Sequence, residues 1–366
     1  MSNNQKNLLS LLMGCVLAFG ILEVFFRLPV WLDDPLLPWF KVNSYIFDDQ
    51  DQILRYAPGA SGMHLRWDGK NRLIHINAEG RRGERIPVGE EFDILLGDSV
   101  IFNGGVEDVE TLEALINAKR PTAGKRKVLN YGVSGSALFH YRSRLEYELA
   151  HQQQLKRVYI CFYLNDFIRD AIPPFLKSQT RGPVMPVYDY HSYAIAHFGL
   201  LIRSAIAIHT YVPAMYTWVE EFHSRSYQES PEQWSQVRQM AHSEWGSAWV
   251  EENWQEFDQS IEAMARLCRK QSVEIVLVLF PVELQVSPEF INEEMVYPQE
   301  QAKALAEKWN VPVIDLLTAF RNRKSEVLFF DHCHLTPAGN RVAAEEIHAF
   351  INSNAQKSTA ARVSGL

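Results

Sequence analysis

The sequence predicts an α/β fold built on a parallel five-stranded sheet, and two patterns support this prediction. Five short apolar runs recur along the chain, and helix-like segments separate them. The runs are apolar almost throughout rather than alternating, which is typical of strands that are covered on both faces. With 366 residues, 47% of them apolar, the chain is also long enough for a full-sized core.

The predicted strands and helices alternate along the main part of the chain. The strands are, in chain order, Phe92–Leu96, Val128–Tyr131, Val158–Tyr163, Glu274–Phe280 and Val311–Leu316. Helix-like patterns lie at residues 107–119, up to residue 154, from residue 253 and from residue 337. Because parallel strands need crossover connections of this kind, the alternation indicates a parallel sheet with helices on both faces.

One long interval, at about residues 167–252, breaks this alternation between the third and fourth strands. It is rich in Trp, Tyr and His and is far longer than an ordinary strand-to-helix connection. Ser192–Trp218 within it is apolar enough to suggest a membrane span, but Arg203 and Pro213 interrupt the run. We therefore predict a helical insert that packs on the domain near the ends of those two strands.

The N-terminal residues 8–26 predict a transmembrane helix. Their only charge is Glu23, and a helix of this length would be about 28 Å long, close to the ~30 Å hydrocarbon core of a bilayer. A cleaved signal peptide is the alternative, but its apolar core is usually shorter and ends at small residues. A lipoprotein is a second alternative, since Leu12–Cys15 has the outline of a lipoprotein cleavage site. Lys6 favours an inside N-terminus, whereas Arg27 favours the opposite orientation.

A connector and a hairpin are predicted between the apolar segment and the first strand. Residues 28–60 are Pro-rich, which is typical of an irregular connector. The runs His64–Trp67 and Arg72–Ile76 flank Asp68-Gly69-Lys70, a sequence typical of a hairpin turn. The predicted organisation is therefore a transmembrane helix at residues 8–26, the connector and hairpin at 27–90, the main domain at 91–353 with its insert, and a loose tail of small and polar residues at 354–366.

Charge and cysteine content exclude several classes of protein. Lys and Arg total 36 against 44 Asp and Glu, and the formal charge of −8 argues against a nucleic-acid partner. Four cysteines without a CxxC pair exclude a disulfide scaffold and a zinc ribbon. The neighbours His332, Cys333 and His334 cannot easily all bind one metal ion, and no second cluster has suitable spacing. We therefore expect neither a metal nor a cofactor.

Four polar motifs follow predicted strands or precede the last helix, and they are the candidates for chemistry. Ligands of an open α/β sheet bind outside the carboxyl ends of its strands. The motifs are Gly97-Asp98-Ser99, Tyr131-Gly132-Val133-Ser134-Gly135, Leu164-Asn165-Asp166 and Asp331-His332-Cys333-His334-Leu335-Thr336-Pro337. Each alone also has a structural interpretation, as a helix cap or a tight turn. Together they can supply a nucleophile, two oxyanion donors and an Asp–His base.

In this order the motifs resemble those of the SGNH hydrolases, also called GDSL-type esterases. The positions that match the four blocks of that family are Ser99, Gly135, Asn165, and Asp331 with His334. The resemblance covers about residues 92–345 apart from most of the insert. It is closest to the bacterial branch with a single N-terminal membrane helix, in which a segment similar to Ile76–Gly83 precedes the first block. The chain departs from the family pattern at Val100, Asn103 and Tyr163.

The resemblance implies a three-layer α/β/α sandwich with a mostly parallel, five-stranded, flavodoxin-like sheet. It also implies acyl transfer with Ser99 as nucleophile, His334 as general base and Asp331 as the residue that orients the imidazole. The oxyanion hole would consist of the backbone amides of Ser99 and Gly135 and the side-chain amide of Asn165. These residues lie far apart along the chain, so the fold must bring them together.

We therefore expect a membrane-anchored serine hydrolase that acts on an acyl ester, such as an acylated envelope polysaccharide. The lipid bilayer would be its partner through residues 8–26, and the catalytic domain would lie in the periplasm or outside the cell. An O-acyltransferase that modifies a cell-surface polysaccharide is the first alternative, because a sugar hydroxyl can replace water in resolving an acyl-enzyme. A non-catalytic, membrane-tethered binding or assembly protein is the second alternative.

Overall fold

The computed structural model describes residues 5, 7, 10–14, 16–21, 45–48, 53–56, 58–65, 71–119, 126–167, 248–286, 293–323, 325–329 and 333–364. The strands are β1 (Tyr45–Asp48), β2 (Ile53–Tyr56), β3 (Ser61–Leu65), β4 (Asn71–His75), β5 (Phe92–Gly97), β6 (Lys127–Gly132), β7 (Leu155–Phe162), β8 (Glu274–Leu279) and β9 (Val313–Asp315). The α-helices after β5 are α1 (Ser99–Phe102), α2 (Leu112–Ala118), α3 (Leu138–His151), α4 (Trp254–Lys270), α5 (Glu283–Val286), α6 (Glu293–Lys308), α7 (Leu317–Asn322) and α8 (Pro337–Ser364).

The strands β5 to β9 form one parallel sheet in the order β6-β5-β7-β8-β9. The prediction of a parallel five-stranded sheet is confirmed, and this strand order is that of flavodoxin-like sheets. The order reverses at β5, because the chain continues to β6 on one side of it and then to β7 on the other. A crevice opens at such a reversal, outside the carboxyl ends of the strands. The loops after β5 and β7 border this crevice, and the loop after β6 lies beside them.

Both faces of the sheet are covered. All six residues of β5 are buried although successive side chains point to opposite faces, so neither face of this strand meets solvent. Helix α4 shows how the cover is built, because its buried side chains recur every three or four residues along one stripe. These side chains are Trp254, Phe257, Ile261, Met264 and Cys268. Helix α3 packs against α4, and α2 packs against α8.

Two small antiparallel pairs precede the sheet in the chain. Strand β3 pairs with β4, which confirms the predicted hairpin. Strand β1 pairs with β2, so the prediction of an irregular connector at residues 28–60 is wrong for these two strands. Their Tyr, Ile and Phe residues favour strands, and this preference outweighs the Pro-rich composition around them. Tyr56 is 1% exposed and its ring lies 4.7 Å from that of Phe102, so β2 packs against the main domain.

The last helix, α8, is longer than the sequence predicts. It runs from Pro337 to Ser364, so its backbone passes through most of the loose tail predicted at residues 354–366. The Ala, Gln and Lys residues of this stretch are good helix formers, which explains why the helix continues.

Several predicted features fall wholly or partly outside the described residues. Within the predicted transmembrane segment at 8–26, residues 10–14 and 16–21 are helical. In the part of the chain that the structure describes, no helix has both the length and the apolar character needed to cross a bilayer. Of the predicted insert at 167–252, the described residues are 167 and 248–252. Asp331 also lies outside the described residues.

Candidate active site

Ser99 lies just after the central strand β5, at the first residue of α1. Asp98 caps this helix, because its Oδ1 accepts a hydrogen bond from the Val100 amide at 2.8 Å. Helix α1 packs closely on the end of β6, where a Cβ on Gly132 would lie 2.3 Å from the backbone nitrogen of Phe102. Glycine at this position therefore allows the close approach. The Ser99 side chain is thereby held, half-buried, at the crevice beyond β5.

His334 reaches Ser99 from the far end of the chain. Its Nε2 lies 3.0 Å from the Ser99 Oγ, and its Nδ1 lies 3.3 Å from the Sγ of Cys333. At 3.0 Å the hydroxyl can donate a hydrogen bond to the imidazole when Nδ1 carries the ring proton. The residues predicted as nucleophile and general base are therefore in direct contact. Asp331, predicted to orient the imidazole, lies outside the described residues.

The chain on either side of His334 is tied to its surroundings. Leu335 forms an isolated β-bridge with Phe329. In the first turn of α8, Asn340 donates a side-chain hydrogen bond to the Glu110 carbonyl at 3.1 Å, on the segment that follows α1. The loop that carries the imidazole is thus linked to the segment that follows the helix of the nucleophile.

Gly135 lies in a tight turn after β6. The Ser136 amide donates to the Val133 carbonyl at 3.0 Å, and Gly135 has a φ of +76°, as at the third position of a type II turn. Among the described residues, no atom would lie within 4 Å of a Cβ on Gly135, so this part of the chain leaves open space beside the residue. The positive φ requires glycine here, and the open space lets a ligand approach the backbone.

Asn165 lies in the turn after β7, and its neighbour Asp166 holds this turn together. The Asp166 carboxylate accepts one hydrogen bond from the Tyr163 amide and one from the Tyr141 hydroxyl of α3, both at 2.8 Å. The Asp166 carbonyl accepts a third from the Leu138 amide at 3.2 Å. The turn is therefore fixed to the start of α3. Sequence reasoning gave Asp166 no role, although it stands beside Asn165 in the motif.

Two buried carboxyl groups, Asp98 and Asp166, lie beneath the site. Burial raises the pKa of Asp98, while the charge of His334 and hydrogen bonds from Ser99 and Asn165 act in the opposite direction. Burial also raises the pKa of Asp166, and the negative charge of Asp98 adds to this rise. The Asn165 side chain thus lies close enough to Asp98 to lower its pKa.

The loops after β6, β5 and β7 together surround the Ser99 hydroxyl. Gly97 at the end of β5 pairs with Gly132 of β6, which places the Gly135 turn on one side of Ser99 and Asn165 on the other. A hydroxyl within hydrogen-bond distance of an imidazole, with a polar turn on either side, is an arrangement that could support acyl transfer.

Among the described residues, no group of three His, Cys, Asp or Glu side chains could hold a metal ion. The described cysteines, Cys161, Cys268 and Cys333, are free thiols.

Two further residues that contact the site lie before β5, and sequence reasoning gave neither a role. Tyr56 hydrogen-bonds to Ser134, next to Gly135, and Arg82 hydrogen-bonds to the end of α1. For Arg82, the available signal was the resemblance of Ile76–Gly83 to a segment of the family. For Tyr56 the sequence carries no local signal, since its partner is 78 residues away.

Comparisons with known proteins bear on this arrangement. Residues 95–342 match the sequence model of the GDSL-like Lipase/Acylhydrolase family. No curated protein matches the chain. Among solved structures, an acetyl xylan esterase is similar at 15% identity, with 71% of this chain and 98% of that chain covered and a TM-score of 0.42. The lipase/acylhydrolase from Enterococcus faecalis is similar at 16% identity, with 72% and 96% covered and a TM-score of 0.41. A catalytic mutant of the acetylxylan esterase Axe2 from Geobacillus stearothermophilus is similar at 17% identity, with 72% and 94% covered and a TM-score of 0.40.

Proposed function

The chain belongs to the GDSL-like Lipase/Acylhydrolase family and is an ester-hydrolysing enzyme, and we propose that it is a membrane-anchored serine hydrolase acting through Ser99 and His334. The observation that carries this assignment is the 3.0 Å contact between the Ser99 Oγ and the His334 Nε2. That contact joins residues 235 positions apart in the chain. A nucleophile within hydrogen-bond distance of its base is the geometry that covalent catalysis needs.

The proposed reaction proceeds through an acyl-enzyme. The Ser99 Oγ attacks the carbonyl carbon of the ester while the His334 Nε2 accepts the hydroxyl proton. The resulting imidazolium then gives this proton to the leaving alcohol as the C–O bond breaks. Water, deprotonated by the same imidazole, attacks the acyl-enzyme, and the imidazolium gives this proton to the Ser99 Oγ as its bond to the acyl carbon breaks, which releases the carboxylic acid. In this scheme Asp331 orients His334 and stabilises the imidazolium.

Three donors would stabilise the oxyanion that forms in both steps. They are the backbone amides of Ser99 and Gly135 and the side-chain amide of Asn165. The open space in front of Gly135 and the fixed turn that carries Asn165 support these roles. Loss of one such donor typically costs about 10²–10³ in kcat.

The membrane anchor is proposed from the apolar N-terminal segment at residues 8–26. Among its described residues, large apolar side chains are exposed on the helix rather than packed on the domain. They are Leu11, Leu12, Met13, Val16, Leu17, Phe19 and Ile21, which are 43–72% exposed. An apolar helix surface of this kind is expected to contact lipid. We assign the catalytic domain to the periplasm or the cell exterior.

Acyl esters of an envelope carbohydrate are the substrate class we propose. An anchored enzyme acts on molecules that lie at the membrane surface. The richness of residues 167–252 in Trp, Tyr and His supports a carbohydrate, because aromatic rings offer both an apolar face and polar groups.

The decisive experiment compares the detergent-purified wild type with Ser99→Ala. We expect wild type to react with a fluorescent organophosphonate and to hydrolyse 4-nitrophenyl acetate, and Ser99→Ala to do neither. Ser353→Ala, which removes an exposed hydroxyl from α8, is the matched control and should behave as wild type. Full activity in Ser99→Ala protein would refute the assignment. Absence of labelling in the wild type would favour the non-catalytic alternative.

A second measurement separates hydrolysis from transfer. Wild type is given an acyl donor with and without an oligosaccharide acceptor, and the free acid and acylated sugar are quantified. Release of free acid at the same rate with and without the acceptor supports the hydrolase. Acylation of the sugar at the expense of acid would identify an O-acyltransferase.

A further inference from the structure

The described residues within 53–83, which precede β5, contact helix α1 and the turn after β6, and we term them the N-terminal bracket. We propose that Tyr56 of this bracket is a positioning residue that orients the backbone amide of Gly135 for the oxyanion. This inference rests on the proposed function, because it concerns the same site. Tyr56 itself does not touch the reacting atoms, and it acts through Ser134.

The Tyr56 hydroxyl makes two hydrogen bonds to Ser134. It donates to the Ser134 Oγ at 2.9 Å and accepts from the Ser134 amide at 3.1 Å. The tyrosine is 1% exposed, and its ring lies 4.7 Å from that of Phe102 at the end of α1. The hydroxyl is thus a fixed point rather than a mobile surface group.

These bonds bear directly on the Gly135 amide. That N–H belongs to the peptide that joins Ser134 to Gly135, in a turn closed by the bond from Ser136 to Val133. Gly135 has a positive φ, carries no side chain that could pack, and has open space around its Cα as far as the described residues show. The two hydrogen bonds between Tyr56 and Ser134 fix the Ser134 end of this peptide, and with it the direction of the Gly135 N–H group.

The same bracket also holds the helix that carries Ser99. Arg82 is 1% exposed, and its guanidinium donates to the Phe102 carbonyl at 3.0 Å and to the Asn103 carbonyl. It further donates to the Val106 carbonyl at 2.7 Å and to the Asp108 carboxylate at 2.8 and 3.1 Å. The fork of five donors suits such a fixed set of acceptors.

Apolar packing joins these two contacts into one unit. Side chains of the bracket form a buried cluster with one residue of helix α1 and one residue of the loop after β6. The members from the bracket are Leu54, Tyr56, Ala60, Ile74 and Ile76; Phe102 belongs to α1 and Val133 to the loop after β6. The bracket therefore sets the spacing between helix α1, which carries Ser99, and the turn that carries Gly135.

The test is Tyr56→Phe, which removes the hydroxyl and keeps the ring against Phe102. We expect kcat for 4-nitrophenyl acetate to fall about tenfold to hundredfold, because a displaced oxyanion donor loses much of its effect. KM and the thermal midpoint should stay close to those of wild type. Tyr147→Phe, at a half-buried tyrosine on α3, is the matched control and should leave kcat unchanged.

Ser134→Ala and the double variant test the route of the effect. Ser134→Ala keeps the backbone amide that donates to Tyr56, so we expect a fall in kcat of less than about threefold. The double variant should be no slower than Tyr56→Phe, because both act on one peptide.

An unchanged kcat in Tyr56→Phe would overturn the inference. So would a fall in kcat that merely follows a loss of folded protein, as seen by circular dichroism at the assay temperature. Ser99→Ala is measured in parallel, so failure of the proposed function is seen separately: it appears as activity without Ser99, whereas failure of this inference leaves Ser99 essential.

Discussion

Glu113 predicts a pH dependence of stability that can be measured directly. It lies on α2, where its side chain is 2% exposed, and its Oε1 accepts a hydrogen bond from the Glu84 amide at 3.1 Å. A Cβ on Gly83 would overlap its carboxyl group, so this group lies directly against the chain that follows Arg82. Deprotonation of Glu113 therefore places a charge in a closely packed site.

The magnitude and sign of this pH dependence follow from the proton affinity of the Glu113 carboxyl group. Burial raises the pKa of Glu113 from its ordinary 4.5 to about 7, against the opposing effects of the Glu84 amide and Arg81. The folded protein thus holds this proton more tightly than the unfolded chain does. The stabilisation from neutral Glu113 is complete below pH 4.5 and is lost as the pH rises through 7. Each tenfold change in proton affinity is worth about 1.4 kcal/mol. The contribution of Glu113 to the free energy of unfolding is therefore roughly 3 kcal/mol less favourable at pH 8 than below pH 4.5, where its carboxyl group is neutral.

Urea unfolding tests this pH dependence. Wild type and Glu113→Gln are unfolded between pH 5 and 8, and tryptophan fluorescence follows the transition. Asp98, Asp166 and His140 also change their proton affinity on folding, so the difference between the two proteins at each pH is the informative quantity. We expect Glu113→Gln to gain stability relative to wild type as the pH rises, by up to roughly 3 kcal/mol. Glu346→Gln, at an exposed position on α8, controls for the loss of a negative charge. Parallel curves for Glu113→Gln and wild type would refute the reasoning.

Two further predictions concern the active-site loops. Asn165→Ala should lower kcat for an acyl ester about 10²–10³-fold with little change in KM, because one proposed oxyanion donor is lost. Steady-state kinetics measure both constants, and an unchanged kcat would remove Asn165 from the oxyanion hole. Gly132→Ala should destabilise the fold by about 1–3 kcal/mol, because the new Cβ would lie 2.3 Å from the Phe102 nitrogen and 2.6 Å from the Ile101 carbonyl carbon. Urea unfolding measures this, and a midpoint equal to that of wild type would show that α1 can shift without cost.

The elements with local signals were predictable from the sequence. Apolar runs bounded by polar turns predicted the strands of the main sheet, and the structure confirms that they form one parallel sheet. The β3–β4 hairpin was predictable because Asp68-Gly69-Lys70 has turn chemistry between two strand-like runs. Strands β1 and β2 have four residues each, too few for a periodic pattern to stand out from the Pro-rich residues around them.

Contacts between distant parts of the chain were not predictable in this way. Tyr56 and Ser134 are 78 residues apart, and Arg82 lies 20 residues before the Phe102 carbonyl that it binds. Neither pair has a periodicity or a turn motif that links its members. A buried arginine is costly without partners, so its burial can be understood only once the carbonyl groups at the end of α1 are in place.

The strand order explains why the motifs converge, and among the sequence signals only the family resemblance, with its flavodoxin-like sheet, implied that order. Strand β5 lies between β6 and β7, with Leu96 paired to Tyr131 on one side and to Ile160 on the other. The loop after β5 therefore has the Gly135 turn and the Asn165 turn as immediate neighbours. Had β5 been an edge strand, one of these turns would lie at least one further strand away, about 5 Å more distant. The order is set by pairing between segments that are far apart in sequence, so the position of Ser99 between the Gly135 turn and the Asn165 turn is a property of the sheet and not of its own motif.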